Sequence, residues 1–393
     1  MRRFKNVLKI LTRLVLITAL TILSAEAIVR ITAFLWSDYG MYYFSYGLTG
    51  LSGSLGISPW STHSGEYYKF PPNYQLKGAA GQAAEVASIN SLGFRGPEFQ
   101  PNKPKGTFRI VCLGESSTFG YHNSDSGTYP IQLEKVLRQT SGDANIEVIN
   151  AGFPYYNSGS ILALLKEEIS RYDPDVITLY SAFNDAAWPL KINSLARAVF
   201  WIQEHSAVYL ALKETLHTDK FFLRHMSKIA RRLTPSTMNY EPFKAEIDQV
   251  ALRYRSNIKS IIKFAKEKGI ATVLIKQPMT AQNQPSRRSI SYEAEYRAVM
   301  EKFRASAALL LNQLLLIKHH RLIEELGKIA NEEGLPIVDN IAIIDRNGGG
   351  LASWVHLTEE ANLRLAEAIK SAVEPYLKIR RAQATLRSAV SVR

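Results

Sequence analysis

The chain has 393 residues and a formal net charge of +13. Five of its basic residues lie in residues 1–13 and five in residues 378–393, with no acidic residue in either stretch, which leaves only +3 for the body. A nearly balanced body without zinc-like Cys/His spacing or a recognisable nucleic-acid module predicts that the protein binds no nucleic acid. The single cysteine, Cys112, excludes an intrachain disulfide and lies in an apolar run typical of a buried thiol.

The amino-terminal segment is predicted to meet a membrane. Basic residues precede the apolar run 14–23, and apolar character resumes through Val29 after Glu26. The small residues around Glu26 allow signal-peptide cleavage near Ala27, which would release a secreted protein. The alternative, an uncleaved anchor that contacts the membrane through residues 7–34, is favoured because apolar residues continue past that point. Both interpretations place the body outside the cytoplasm, in the cell envelope or periplasm.

The rest of the chain is predicted to contain an irregular β-rich lead-in and one large α/β domain. We expect an anchor or signal peptide over 1–36, the lead-in over 37–105, the main domain over 106–377 and a basic tail over 378–393. Strands are predicted near 108–113, 145–150, 174–180, 270–275 and 336–339, with amphipathic helices between them, and this alternation indicates a parallel sheet covered on both faces. Helices are expected to start after Thr128 and to cover 243–266, 295–333 and 358–373.

An insertion over 186–242 exceeds what a minimal sheet needs. Its residues 221–233 predict a basic amphipathic helix. A lid or cap packed on the body is the favoured interpretation, and contact with an anionic membrane surface is the alternative.

Four short blocks follow predicted strands or precede the last helix. They are Gly114-Glu115-Ser116-Ser117-Thr118, Asn150-Ala151-Gly152, Asn184-Asp185 and His356-Leu357-Thr358. In an open parallel sheet, the carboxyl ends of the strands form the edge where ligands bind. The blocks together therefore predict one site, although each alone could be an ordinary turn or cap.

The residue types in these blocks suit ester hydrolysis through an acyl-enzyme. Ser116 is the candidate nucleophile and His356 the candidate general base. The Ser116 N–H, the Gly152 N–H and the side-chain amide of Asn184 are candidate oxyanion-hole donors. No metal and no organic cofactor is expected.

The four blocks resemble those of the SGNH hydrolase superfamily, also called GDSL esterases and lipases, over roughly residues 108–375. The stretch 89–98 also resembles the lead-in of a membrane-anchored or exported bacterial subgroup. The resemblance implies a flavodoxin-like three-layer α/β/α sandwich with a central parallel sheet. It also implies that Ser116 is the nucleophile, His356 the base, and Ser116, Gly152 and Asn184 the oxyanion hole.

The sequence departs from the family pattern most seriously at Ser353. The family has an acid three residues before the histidine, so the carboxylate that orients the imidazole is missing here. Three replacements are open: Ser353 Oγ or a backbone carbonyl in a Ser-His dyad, Asp345 in a glycine-rich loop, or Asp339 at the end of the last strand. The dyad is preferred, and Asp345 is preferred to Asp339 because its loop can reposition it.

The leading functional hypothesis is a serine esterase outside the cytoplasm that removes or transfers a small acyl group, such as acetyl, from a carbohydrate or related ester. The alternative is an inactive SGNH-like envelope binding or scaffolding domain, favoured by the missing acid at Ser353. A lipid-binding enzyme that uses helix 221–233 is a third possibility. Oligomeric state is open.

Overall fold

A computed structural model describes residues 2–36, scattered positions between 67 and 76, and residues 87–187, 208, 240–282, 290–305 and 309–391. The chain forms two units, residues 1–58 with 192–235, and residues 59–191 with 236–393. Most of the predicted insertion, including 221–233, and most of the lead-in before residue 87 lie outside the described residues. The domain boundaries read from the sequence stay predictions.

The first unit contains helix α1, Arg2–Trp36. Its segment Lys9–Thr32, 24 residues with a mean hydropathy of 2.0, is long and apolar enough to cross a membrane. At a rise of about 1.5 Å per residue it exceeds the roughly 30 Å of a bilayer's hydrocarbon core. Glu26 and Arg30 form an ion pair within it. A cleaved signal sequence would pass the same test of length and hydropathy, so the helix is compatible with either amino-terminal fate.

The second unit is built on a five-stranded parallel sheet, which confirms the predicted fold class. The strands are β3 Phe108–Gly114, β4 Ile146–Gly152, β5 Val176–Tyr180, β6 Ala271–Lys276 and β7 Ile337–Asp339. Their order in the sheet is β4-β3-β5-β6-β7. All five predicted strands are present. They could be predicted because strands that are buried on both faces appear in the sequence as continuous apolar runs.

Helices cover both faces of this sheet and divide its core in two. Alternate residues of β3 enter different cores, Val111 on one face and Ile110 on the other. The helices are α2 Ser116–Phe119, α3 Tyr129–Ser141, α4 Ser158–Glu167, α5 Phe183–Ala187, α6 Tyr240–Glu267, α7 Tyr292–Arg304, α8 Leu311–Glu333, α9 Asn340–Arg346 and α10 Glu359–Ser391, with a 3-10 turn at Ile169–Tyr172. The core containing Val111 includes residues of α4, α6, α7 and α8, whereas the core containing Ile110 includes residues of α3, α9 and α10. The result is a three-layer α/β/α arrangement.

The lead-in contributes a short antiparallel pair, β1 Gln75–Leu76 with β2 Ala87–Ser88. Arg95 then makes antiparallel bridges to Ile89 and to Asn150 of the edge strand β4. The described part of the lead-in thus belongs to the same unit as the sheet.

Two predicted helices differ from the structure. The single helix expected over 295–333 is two helices, α7 and α8, and the Gln313 side chain accepts the Leu310 N–H at the start of the second. The apolar run continues through this start, so periodicity alone did not reveal it. The last helix was expected to end at residue 373, but α10 continues past Pro375 to Ser391, through much of the predicted basic tail.

Candidate active site

The first block, which contains the candidate nucleophile Ser116, forms a sharp turn, here called the nucleophile turn, at the carboxyl end of β3. Glu115 keeps an extended backbone, Ser116 begins α2, and Gly120 closes that helix in the left-handed region at φ 88°. A Cβ at Gly114 would lie 2.0 Å from Thr118 Oγ1 and 2.5 Å from the Tyr180 carbonyl oxygen. Glycine is therefore required where the strand turns into the helix, and this turn places Ser116 at the sheet edge.

The structure brings Ser116, His356 and Ser353 into one chain of hydrogen bonds. Ser116 Oγ lies 2.8 Å from His356 Nε2. On the other side of the ring, His356 Nδ1 lies 2.6 Å from Ser353 Oγ. Ser353 Oγ also accepts the backbone N–H of His356 at 3.3 Å. A hydroxyl that accepts Nδ1–H leaves the Nε2 lone pair facing the Ser116 hydroxyl, which is the tautomer that a general base needs.

The imidazole of His356 favours its neutral form. Burial, with a smaller contribution from neighbouring His122, lowers the pKa of His356 to about 3. Removing water penalises the imidazolium, and no carboxylate of the described residues offsets that penalty in the way an acid at position 353 would. His356 is consequently a base that is free of its proton at neutral pH.

The two alternative orienting carboxylates have other partners. Asp345 accepts the backbone N–H of Tyr292 at 3.1 Å. Asp339 accepts the Ala342 N–H as the N-cap of α9 and lies 2.7 Å from Lys276 Nζ. Among the three candidates it is Ser353 that bonds to Nδ1 of His356.

Asn184 lies at the start of α5, held there by the first block. Its Nδ2 donates to the Tyr156 carbonyl oxygen at 2.7 Å, which uses one of its two amide protons. Its backbone N–H donates to the Glu115 carboxyl at 3.2 Å, and the Ala182 N–H does so at 3.0 Å. Glu115 thus ties the nucleophile turn to the Asn184 turn.

The Glu115 carboxyl is completely buried beside a second acid. Burial, reinforced by the charge of Asp185, raises the pKa of Glu115 to about 8. Ser181 Oγ connects the two groups, 2.8 Å from Glu115 Oε1 and 3.4 Å from Asp185 Oδ2. Asp185 also accepts both the N–H and the hydroxyl of Ser158. The raised pKa favours the protonated carboxyl, and Glu115 acts as a structural hydrogen-bonding group.

Gly152 lies beside the nucleophile turn, but its N–H is engaged. It donates to Asn150 Oδ1 at 3.0 Å. A Cβ on Gly152 would lie 2.2 Å from the Phe119 nitrogen and 2.6 Å from the Thr118 carbonyl carbon. The structure therefore gives Gly152 a role in close packing, and its predicted use as an oxyanion donor would require the Asn150 contact to open. The Ser116 N–H, by contrast, has no hydrogen-bond partner among the residues that the structure describes.

Several residues that support the site were missed by sequence reasoning. Gln277, at the end of β6, donates to Ser117 Oγ at 3.1 Å, and Ser117 Oγ in turn donates to the Val355 carbonyl oxygen at 3.1 Å. Asn123 Nδ2 donates to the Leu357 carbonyl oxygen at 3.1 Å. These bonds hold both neighbours of His356, and their partners lie 160 to 238 positions apart in the chain.

Arg95 is the other supporting residue that the sequence did not reveal. Its buried guanidinium donates to the carbonyl oxygens of Phe119, Gly120 and Asn123 and forms an ion pair with Asp125. It thus fixes the loop that follows the nucleophile helix. The sequence signal for Arg95 was its position in the stretch 89–98. That stretch indicated a lead-in but did not indicate which residues Arg95 would contact.

No group of three or more His, Cys, Asp or Glu side chains suited to a metal ion occurs within the described ranges. The hydrogen-bonded chain of Ser116, His356 and Ser353 has the order of a candidate nucleophile, a candidate base and a candidate orienting group.

Among the comparisons with known proteins, the comparison with solved structures found similar proteins. No protein-family model matches the sequence, and no curated protein is significantly similar to it. The lipase/acylhydrolase from Enterococcus faecalis is 15% identical and covers 68% of this chain and 96% of its own, with a TM-score of 0.39. An acetyl xylan esterase, AlAXEase, is 13% identical and covers 68% and 100%, with a TM-score of 0.39. A GDSL-like lipase from Bacteroides thetaiotaomicron is 16% identical and covers 70% and 91%, with a TM-score of 0.37. These values leave the function to be argued from the geometry of this chain.

Proposed function

We propose that the protein is a serine esterase of the SGNH type. The observation that carries the proposal is the 2.8 Å contact between Ser116 Oγ and His356 Nε2, together with the Ser353 hydroxyl on the opposite ring nitrogen. A hydroxyl paired with a neutral, oriented imidazole is the arrangement that forms an acyl-enzyme.

The reaction has two halves. Ser116 Oγ attacks the ester carbonyl carbon as His356 Nε2 takes the hydroxyl proton, and the resulting imidazolium gives that proton to the departing alcohol. His356 then takes a proton from water, whose oxygen attacks the acyl group on Ser116. Collapse of the second tetrahedral intermediate returns the proton to Ser116 and releases the carboxylic acid.

Two donors would form hydrogen bonds with the oxyanion. The Ser116 N–H has no hydrogen-bond partner among the described residues, and the second amide proton of Asn184 Nδ2 remains after the bond to Tyr156. The Asn184 donor, already fixed by Glu115 and Tyr156, needs little reorganisation as the negative charge develops. The Gly152 N–H would join them if it released Asn150.

We propose a small acyl group, such as acetyl, on a carbohydrate or related ester as the substrate. Trp354 lies two residues before His356 with 41% of its surface exposed. An exposed indole so near the candidate base in the sequence offers an apolar face on which a sugar ring can stack. The apolar segment of α1 supports action outside the cytoplasm, at a membrane if the segment is retained or as a secreted protein if it is cleaved near Ala27.

The proposal is tested with the full chain in detergent. A fluorophosphonate probe should label Ser116, and p-nitrophenyl acetate should be hydrolysed faster than p-nitrophenyl octanoate. Ser116→Ala and His356→Ala should abolish turnover while the far-UV circular dichroism stays unchanged. A folded sample that is neither labelled nor active would refute the esterase and support the binding or scaffolding domain, the alternative that the missing acid at Ser353 favours.

The carbohydrate assignment has its own test. Release of acetate from acetylated glycans is compared between the unaltered chain and Trp354→Ala. We expect the variant to show a raised KM for the glycan and an unchanged rate with p-nitrophenyl acetate, which lacks a sugar. Equal loss with both substrates would contradict a stacking role for Trp354.

A further inference from the structure

The loop after the nucleophile helix holds two aromatic side chains against His356. The Tyr121 ring centroid lies 5.4 Å from that of His356 with an interplanar angle of 31°, and the His122 centroid lies 5.3 Å away at 70°. Tyr121 and His122 are themselves in edge contact at 4.9 Å. The catalytic imidazole is thus flanked by two rings in addition to its two serine partners.

This arrangement is built rather than incidental. His122 has a left-handed backbone at φ 73°, a conformation that costs energy in a residue other than glycine. Asn123 Nδ2 contacts both the Tyr121 and the Leu357 carbonyl oxygens, at 3.2 and 3.1 Å. Together with the bonds from Arg95, these contacts fix the loop directly to the residue after His356.

The chemistry of the proposed reaction explains what such rings would do. His356 carries a positive charge each time it holds the proton of Ser116 or of water. An acid at position 353 would stabilise that charge, but the Ser353 hydroxyl carries none. The titratable groups that face the ring are Tyr121 and His122, and the partners on its two nitrogens are Ser116 and Ser353.

We infer that Tyr121 is a positioning residue that stabilises the imidazolium of His356 through its aromatic face and so partly replaces the missing carboxylate. A cation within about 6 Å of an aromatic centroid is attracted by the negative face of the ring. The inference rests on the proposed esterase function, because only that reaction makes His356 a transient cation.

The state of His122 matters for this role. Its pKa is lowered by partial burial, so the ring is neutral at the pH where a serine esterase works. His122 is also a cause of the low pKa of His356, so it disfavours the imidazolium. The inferred stabilisation is therefore assigned to Tyr121 alone.

The test compares Tyr121→Leu with Tyr121→Phe in the full chain, using p-nitrophenyl acetate. The unaltered chain must first be labelled at Ser116 by the fluorophosphonate probe, which separates failure of this inference from failure of the proposed function. We expect Tyr121→Leu to lower kcat about three- to tenfold with little change in KM, and Tyr121→Phe, which keeps the ring, to retain most of the rate.

A pH profile distinguishes charge stabilisation from loss of packing. The two variants are also made in a Ser353→Asp background, where the carboxylate brings the acid limb of kcat/KM into an accessible range. Loss of the ring should move that limb to lower pH by about half a unit or more, because the imidazolium becomes less favourable. Tyr121→Phe should leave the limb in place.

Three results would overturn the inference in a chain that labels at Ser116. They are unchanged kcat in Tyr121→Leu, a fall in kcat that Tyr121→Phe shares fully, or a fall in kcat with an unmoved acid limb. The first two are read in the unaltered background and so hold even if Ser353→Asp does not fold.

Discussion

Ser353 Oγ lies 2.6 Å from Nδ1 of His356, at the place where the proposed type of site usually has a carboxylate. The same oxygen accepts the His356 backbone N–H, so residues 353–356 form a closed turn around the imidazole. The hydroxyl can hold the ring and select its tautomer, but it supplies no negative charge. Orientation and charge stabilisation, which one carboxylate usually combines, are therefore separable here.

Ser353→Ala tests the orientation role. The variant removes the acceptor of Nδ1–H, so both the ring rotation and the tautomer become less restricted. We expect kcat for p-nitrophenyl acetate to fall about 5- to 30-fold, the equivalent of one hydrogen bond of about 1–2 kcal/mol. Ser126→Ala, a serine in the exposed 124–126 turn, is the matched control. If Ser353→Ala keeps the unaltered rate, the backbone alone orients His356.

Ser353→Asp tests the charge role. A carboxylate at Nδ1 favours the imidazolium, so the pKa of His356 should rise from its present value of about 3. The acid limb of the pH profile should move to higher pH, and the rate above that limb should increase because the transient cation is stabilised. Initial rates between pH 4 and 9 provide the measurement. A rate that stays constant down to pH 4 would mean that the new carboxylate does not reach the ring.

Asn184→Ala and Asn184→Asp test the oxyanion donor. Both remove the amide protons, and the aspartate keeps the shape while adding a negative charge near the developing oxyanion. We expect kcat to fall about 10²- to 10³-fold in the alanine variant, and further in the aspartate variant. The thermal unfolding temperature is the control, because the bond from Asn184 Nδ2 to Tyr156 is also lost. Loss of rate in proportion to loss of folded protein would point to a structural role only.

The sheet, and the position of the four blocks at its edge, could be predicted from the sequence because both depend on local patterns. Buried parallel strands appear as continuous apolar runs, and ligand sites lie at their carboxyl ends. The supporting contacts could not be predicted in this way. Arg95 reaches the carbonyl oxygens of Phe119 and Gly120, and Gln277 reaches Ser117 across 160 positions. Any arginine or glutamine would look the same in the sequence, since only the folded chain defines which acceptors lie nearby.

The choice among Ser353, Asp345 and Asp339 shows the same limit. All three were within plausible reach along the chain. Asp339 is used instead as the N-cap of α9, and Asp345 accepts the N–H at the start of α7, so both carboxyls have helix-terminal partners. Such partners belong to the tertiary structure, and the spacing of the sequence carries no sign of them.

Glu115 predicts an unusual dependence of stability on pH. Its pKa is raised from 4.5 to about 8 by burial and by Asp185, so the folded chain binds a proton that the unfolded chain releases above pH 4.5. The stabilisation is fully present below pH 4.5 and is lost progressively as pH rises towards about 8. Glu115→Gln has no such proton to lose, so it should become more stable relative to the unaltered chain between pH 5.5 and 8.5. Urea unfolding at pH 5.5 and pH 8.5 measures the difference in the free energy of unfolding between the variant and the unaltered chain. If that difference is the same at both pH values, Glu115 does not titrate in this range.

Gly152→Ala tests whether Gly152 is required for packing or for catalysis. Its Cβ would lie 2.2 Å from the Phe119 nitrogen, a backbone atom that cannot move without shifting α2. We expect a loss of about 1–3 kcal/mol in the free energy of unfolding, together with reduced activity. Gly327→Ala in α8 is the matched control, since nothing lies within 4 Å of its Cβ and alanine favours a helix by up to about 1 kcal/mol. Urea unfolding of both variants is compared with their hydrolysis of p-nitrophenyl acetate. A Gly152→Ala chain as stable as the unaltered one but inactive would contradict the packing role and show instead that a Cβ at this position obstructs the substrate.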